Sequence, residues 1–435
     1  MSPHALSKSE AHAHDDPFSF QKYAITRNGF LPVEEPLKML SDSYYAPWEK
    51  VIQCLPGLLN AGRLRRDING LPVLSTNKLR DEAEWRRAYV ILTFLTHAYV
   101  WGGERAEEML PPAISVPLLD ASKHLEVPPV ATYASLNLWN FSSNTGDFAD
   151  LDSLRSLHTF TGTKDEAWFY LVSVAIEAQG ARIMTDMLNA LNSIKTRDYD
   201  TITRALKSLS DNIDKIGALL ERMYEHCDPV VFFYQIRPFL AGSKNMAAAG
   251  LPSGVFYDEG NGRGSWQPLR GGSNGQSSLI QFLDIVLGVE HKTDGNSNRR
   301  TQAQTPAFHE EVRSYMPGPH RRFLEHVAHL GSIRELATLP GSTPEQERFR
   351  EAYQTATRIM TDLRNKHLQI VARYIVLPSK RGPSGTKVNL VSASAVKDEQ
   401  LTGTAGTALL PFLKKTRDET LQAGQLEQVY QKSGL

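Results

Sequence analysis

Apolar residues recur every three or four positions along most of this chain, and long runs of strict alternation are missing. That period predicts helices rather than strands. Segment 202–224 sets Leu206, Leu209, Ile213, Ile216, Leu220 and Met223 at steps of three and four, a one-sided stripe that ends by Asp228-Pro229. "DEAWFYLVSVAIEAQGARIM" (165–184) is apolar almost all round and predicts a central helix, and 84–101 predicts another buried one. Thr343-Pro344-Glu345-Gln346 reads as a helix start, with Thr as N-cap, Pro in the first position and Gln completing a capping box. Phe349, Tyr353, Ala356, Met360, Leu363, His367, Ile370, Tyr374 and Leu377 follow on one face, and Pro378 is expected to end the run. The fold class is all-α, with no internal repeat.

Breaks in the pattern organise the chain. Residues 1–16 are polar and predict a disordered tail, 17–160 a smaller, mainly helical N-terminal domain, and 161–435 a large helical domain. Glycines at 250, 254, 260, 262, 264, 271, 272 and 275 make 250–276 a long functional loop or linker. Segment 378–407, rich in Ser, Gly and Lys, predicts a second, mobile loop. Forty-eight basic residues balance 48 acidic ones, so bulk charge favours neither nucleic acid nor an anionic membrane. The longest apolar run, "YVILTFLTHAYVW" (89–101), is too short to span a bilayer, and the N-terminus lacks the apolar core of a signal peptide. Two cysteines, Cys54 and Cys227, make neither a disulfide framework nor a zinc cluster. A cytoplasmic monomer is the expectation.

Chemistry enters where polar groups interrupt apolar faces. His367 falls on the buried stripe of its helix, where an unpartnered polar ring costs about 1–3 kcal/mol. Two readings satisfy it: a core histidine bonded to a carbonyl or carboxylate, or a neutral imidazole serving as the axial ligand of a haem iron. His326 and His329, one turn apart, read as surface residues for want of a third ligand. Arg237, in "VFFYQIRPFLAG", lies among apolar residues and calls for a carboxylate from protein or ligand. "GGSNGQSS" (271–278) clusters small residues that let a flat ligand approach the backbone. "GNGRGS" reads only as a flexible loop, since no clear strand precedes it. No HExxH, paired CxxC, GxSxG or GxxxxGK[ST] occurs, which removes the main support for common hydrolase and P-loop readings.

In order along the chain, "LEVPPVATYASLNLWNF", "FYLVSVAIEAQGA", "FFYQIRPFLAG", "GGSNGQSSLIQFLDIVLG", "YMPGPHRRFL", "LRNKHLQIVARYI" and "GTAGT" together resemble the indoleamine 2,3-dioxygenase family, over roughly residues 30 to 420. The resemblance implies a haem b enzyme that inserts both atoms of O2 across the indole C2–C3 bond of L-tryptophan, giving N-formylkynurenine, the first step of kynurenine-pathway tryptophan catabolism. It also implies an electron donor that reduces the ferric haem. Carried over by motif, His367 matches the proximal iron ligand, and Asp284 and Arg364 match positions tied to the proximal pocket and a haem propionate. Arg237 matches the arginine that grips the substrate carboxylate. Tyr133, Phe169, Phe232 and Phe233 match residues around the indole, and Ser173 a serine near bound O2. Gly272 and Ser273 match the glycine-rich wall over the haem edge, and Thr404 the closing loop. Leu136, Asn137, Asn274 and the GTAGT loop depart from better-known members, which bears on substrate preference. The rival reading is a haem-binding sensor on the same fold with weak or lost catalysis; it keeps His367 but can dispense with Arg237, Phe232 or the closing loop.

Overall fold

Helices form where the 3.6-residue period puts them. The computed structural model describes residues 20–291, 308–381 and 409–426. The expected N-terminal tail, Thr404 and the 378–407 loop beyond Arg381 lie outside the described residues. The predicted helices appear as Glu82–Trp101, Lys164–Ala181, Tyr199–Glu221 and Pro344–Val371. Their starts are capped as side-chain chemistry requires: the oxygens of Asp81, Thr163, Asp198 and Thr343 each accept a first-turn backbone N–H. The capping box at Thr343 is displaced by one residue, because Gln346 Oε1 accepts from Ser342 N at 2.7 Å.

Two apolar clusters hold the helices. One joins the 82–101 helix to residues on both sides of position 160, from Leu31 through Leu171 to Tyr257 and Tyr374. The other packs the 199–221 and 344–371 helices on Met187, Phe282 and Phe323. Among the described residues, no helix is long and apolar enough to cross a membrane.

Two expectations need correction. The glycine-rich stretch 250–276 contains an antiparallel hairpin, Val255–Gly260 with Arg263–Gln267, and Met109–Leu110 adds a parallel third strand. A strand therefore does precede "GNGRGS". Its buried residues, Val255 and Tyr257, flank the equally apolar Phe256, and polar residues follow, so the sequence carries no period-two signal. The long helix also does not end at Pro378. It passes through a wide, π-type turn at Ala372–Val376 and resumes as Leu377–Arg381. The Leu377 N–H reaches back five residues to Ala372 O, so Pro378, which has no N–H, stands near the start of a new turn where none is needed. Phe232–Ile236 repeats the device before Arg237-Pro238: the Arg237 N–H bonds Phe232 O. A third wide turn spans Ala134–Leu138. Such turns often lie at functional sites.

Candidate functional site

A cavity of about 260 Å³ opens between the helices. Phe169, Val172, Ser173 and Ile176 face it from the 164–181 helix, a spacing of three and four that puts them on one side. Met360, Leu363, Arg364, His367 and Ile370 face it from the 344–371 helix by the same geometry. Leu409, Phe412, Leu413 and Thr416 of the C-terminal helix Leu409–Ala423 close another side. All three wide turns contribute to the wall, through Leu136 and Asn137, Phe232, and Tyr374 and Ile375.

His367 is half-buried because its face of the helix meets this cavity rather than packed side chains. It has no hydrogen bond to any described residue, so the reading of a core histidine satisfied by a carbonyl or carboxylate finds no partner there. Burial, with the nearby Arg364 guanidinium, lowers its pKa to about 4, so at neutral pH the imidazole keeps a free lone pair. One turn earlier, the Arg364 guanidinium donates to Asp284 Oδ1, while its buried Nε has no partner among the described residues. Asp284 Oδ2 lies 3.1 Å from His291 Nε2, and His291 Nδ1 lies 2.7 Å from Glu419 Oε2 of the C-terminal helix. Burial alone would raise the Asp284 carboxyl, but Arg364 and His291 outweigh it and hold its pKa at about 2.

Arg237 borders the cavity at 3% exposure, with its guanidinium 5.5 Å from the centre of the Phe233 ring. Burial lowers its pKa to about 10, which leaves it charged at neutral pH. Phe232 packs on Phe169, ring centres 4.9 Å apart, and both face the cavity. Phe233 does not line it; fully buried, it lies beneath Arg237. Tyr133, Leu136, Asn137, Gly272, Ser273 and Asn274 all contribute to the wall. A Cβ on Gly272 would come within 2.4 Å of Leu136 Cδ1, which a leucine tip can yield, whereas one on Gly271, just behind the wall, would come within 2.0 Å of the Leu240 backbone oxygen, so there bare backbone is a steric requirement.

One group escaped the sequence reading. Glu177 sits behind the wall, 1% exposed, and accepts hydrogen bonds at Oε1 from Tyr133 Oη (2.9 Å) and Ser277 Oγ (2.7 Å). The sequence offered only a partial signal, a carboxylate four residues after Ser173 on a helix that is apolar almost all round.

These features fit a haem. A neutral imidazole on a rigid helix faces a largely apolar cavity. Arg364 offers a guanidinium N–H to an anionic edge group, and a glycine backbone gives a flat wall. Among the described residues no cluster of three His, Cys, Asp or Glu side chains could hold a bare metal ion, and neither His326 nor His329 belongs to one.

Comparison with known proteins agrees. The family model described as indoleamine 2,3-dioxygenase matches residues 19–423. An indoleamine 2,3-dioxygenase of Aspergillus nanangensis is 40% identical over 93% of this chain and 97% of its own length. That of Saccharomyces cerevisiae is 38% identical over 94% of each chain. A protein of Fusarium equiseti named 6-hydroxytryptophan 2,3-dioxygenase is 37% identical over 91% of this chain and 95% of its own. Sequence, fold and cavity thus converge, and this chain belongs to the indoleamine 2,3-dioxygenase family of haem-dependent oxidoreductases.

Proposed function

We propose that this enzyme, a haem dioxygenase acting on tryptophan-like indoles, takes L-tryptophan and O2 to N-formylkynurenine. One observation carries the reading: His367 and Arg237, far apart in sequence, border the same cavity. His367 would hold the haem, Arg364 and the Gly272–Ser273 backbone would line its site, and the bound group would supply the iron chemistry that activates O2. The chain's own part is binding, orientation and exclusion of water. Arg237, charged and almost fully buried, is suited to a bidentate grip on the substrate carboxylate. Phe169 and Phe232 give the indole apolar ring surface, and Tyr133 and Ser173 give the same wall hydroxyl groups. Fixing the indole against the reacting centre is worth several orders of magnitude in rate.

The test is N-formylkynurenine formation from L-tryptophan, run beside 6-hydroxytryptophan because one relative carries that name. Turnover of L-tryptophan is expected. Arg237→Leu is expected to lower kcat/KM by about 1.5–3 kcal/mol, the worth of a hydrogen bond to a charged group. A protein that binds haem yet turns over neither amino acid would instead be the sensor reading. An unchanged Arg237→Leu enzyme would remove Arg237 from the site.

A further inference from the structure

The 164–181 helix sends three groups along one side at steps of four: Phe169, Ser173 and Glu177. The first two line the cavity, and the third lies just outside it. Glu177 Oε1 takes the hydrogens of both Tyr133 and Ser277, while Oε2 is buried without a partner among the described residues. Tyr133, Ser173 and Ser277 all border the cavity. A hydroxyl has one hydrogen and two lone pairs, so where its hydrogen is committed decides what it shows to a ligand.

We propose that Glu177 is a positioning residue: as the common acceptor behind the wall it commits the hydrogens of Tyr133 and Ser277, so these two hydroxyls turn lone pairs rather than hydrogens toward the cavity. The inference rests on the haem and tryptophan reading above and concerns how that site is held. Acceptors at these two positions favour a substrate rich in N–H groups, as an amino acid with an indole is, and offer none of their hydrogens to a diatomic ligand in the cavity. The arrangement does not depend on charge. Burial raises the Glu177 carboxyl to about 7, so both forms occur near neutrality. A proton added at Oε2 leaves Oε1 free to accept both bonds. With an apolar side chain at 177 the hydrogens lose their acceptor and rotate toward whatever remains, including the cavity.

The experiment uses the haem-loaded enzyme with two readouts, the infrared C–O stretch of the ferrous CO complex and the Kd for L-tryptophan by absorbance. Glu177→Gln keeps a carbonyl at the Oε1 position; it is expected to retain the wild-type C–O frequency and to bind L-tryptophan within about twofold. Glu177→Leu is expected to lower the C–O frequency, as hydroxyl hydrogens reach toward CO, and to weaken L-tryptophan binding roughly five- to tenfold. A merely structural role would lower thermal stability and leave the frequency in place. Should Glu177→Leu not fold, Glu177→Met, unbranched like glutamate, carries the same expectations. Wild-type frequency and affinity in the apolar variant overturn the proposal. So does a Gln variant that behaves like Leu, because the acceptor would then not be what matters. A wild-type protein that takes up no haem or binds no CO refutes the haem reading instead. One that binds CO but not L-tryptophan refutes the substrate reading, and the C–O stretch still tests Glu177.

Discussion

Replacing Asp284 with asparagine should remove an acid-sensitive part of the protein's stability. Asp284 is 5% exposed and shared between Arg364 and His291, and its pKa falls from 3.8 to about 2 on folding. A carboxyl whose folded pKa is depressed contributes stability that is complete above its unfolded pKa and fades as pH drops through its folded one. That shift corresponds to about 2–3 kcal/mol, present at pH above about 5 and lost between about pH 4 and pH 2. Asparagine also leaves the Arg364 charge poorly compensated, so the full loss at neutral pH should approach the roughly 3–5 kcal/mol of a broken buried pair. Urea unfolding of haem-free wild type and Asp284→Asn at a series of pH values gives the difference curve directly. Glu311, held at about 2 mainly by its hydrogen bond from Arg270, titrates in both proteins and cancels. The expected result is a gap that shrinks by about 2–3 kcal/mol on acidification from about pH 5 to pH 2. A gap that stays constant down to about pH 3, or no gap at pH 7, would refute the electrostatic account of the pair.

Other consequences are as concrete. His367→Ala should abolish the Soret band of the purified protein or, if some haem is retained, its turnover; full haem content with normal activity would exclude His367 as the axial ligand. Gly271→Ala puts a methyl group within 2.0 Å of the Leu240 carbonyl oxygen, a backbone clash that cannot relax by side-chain rotation. It should cost at least about 2 kcal/mol in denaturant unfolding, and ligand affinity should fall with it. Asn137 donates to Tyr133 O at 3.2 Å while its buried Oδ1 has no partner among the described residues. Asn137→Leu loses one neutral bond and removes one orphaned acceptor, so stability should rise by about 1 kcal/mol, read as a higher Tm; a fall of that size would mean Oδ1 is satisfied in solution.

The helices were legible because each buries one face, and a buried face writes itself as a period. Leu206, Leu209, Ile213 and Ile216 are all buried, as their spacing requires. His367 was legible only in part. The period placed it on an inward face, but it could not distinguish packed core from cavity, since both sit on the same side of the helix. Phe233 shows the complementary limit. Adjacent residues in a motif look equivalent, yet in the wide turn one ring enters the cavity and the next lies under Arg237. Glu177 was passed over because its partners, Tyr133 and Ser277, come from segments remote in sequence, and no local pattern records such a meeting.

The prolines carry a lesson of a different kind. Pro378 was expected to stop a helix, and Pro238 was read only as part of a motif. In both places a proline follows a wide turn that absorbs its missing N–H, and in both the turn sends a ring inward: Phe232 from one, Tyr374 from the other. Those rings meet edge to face at 5.7 Å, and Tyr234 Oη donates to Pro378 O at 3.0 Å, tying one turn to the other. The helix that carries His367 runs directly into the second turn, and the first delivers Arg237 at its end. His367 and Arg237, which border the same cavity, are therefore held by one joint rather than by separate walls. A chain that straightened either turn into regular α-helix would keep every residue of the motifs and still rotate Arg237 or Tyr374 by about 100° per residue of slippage. The spacing of arginine and proline in "IRP", and of the aromatic residues before it, carries as much of the site as the residues themselves.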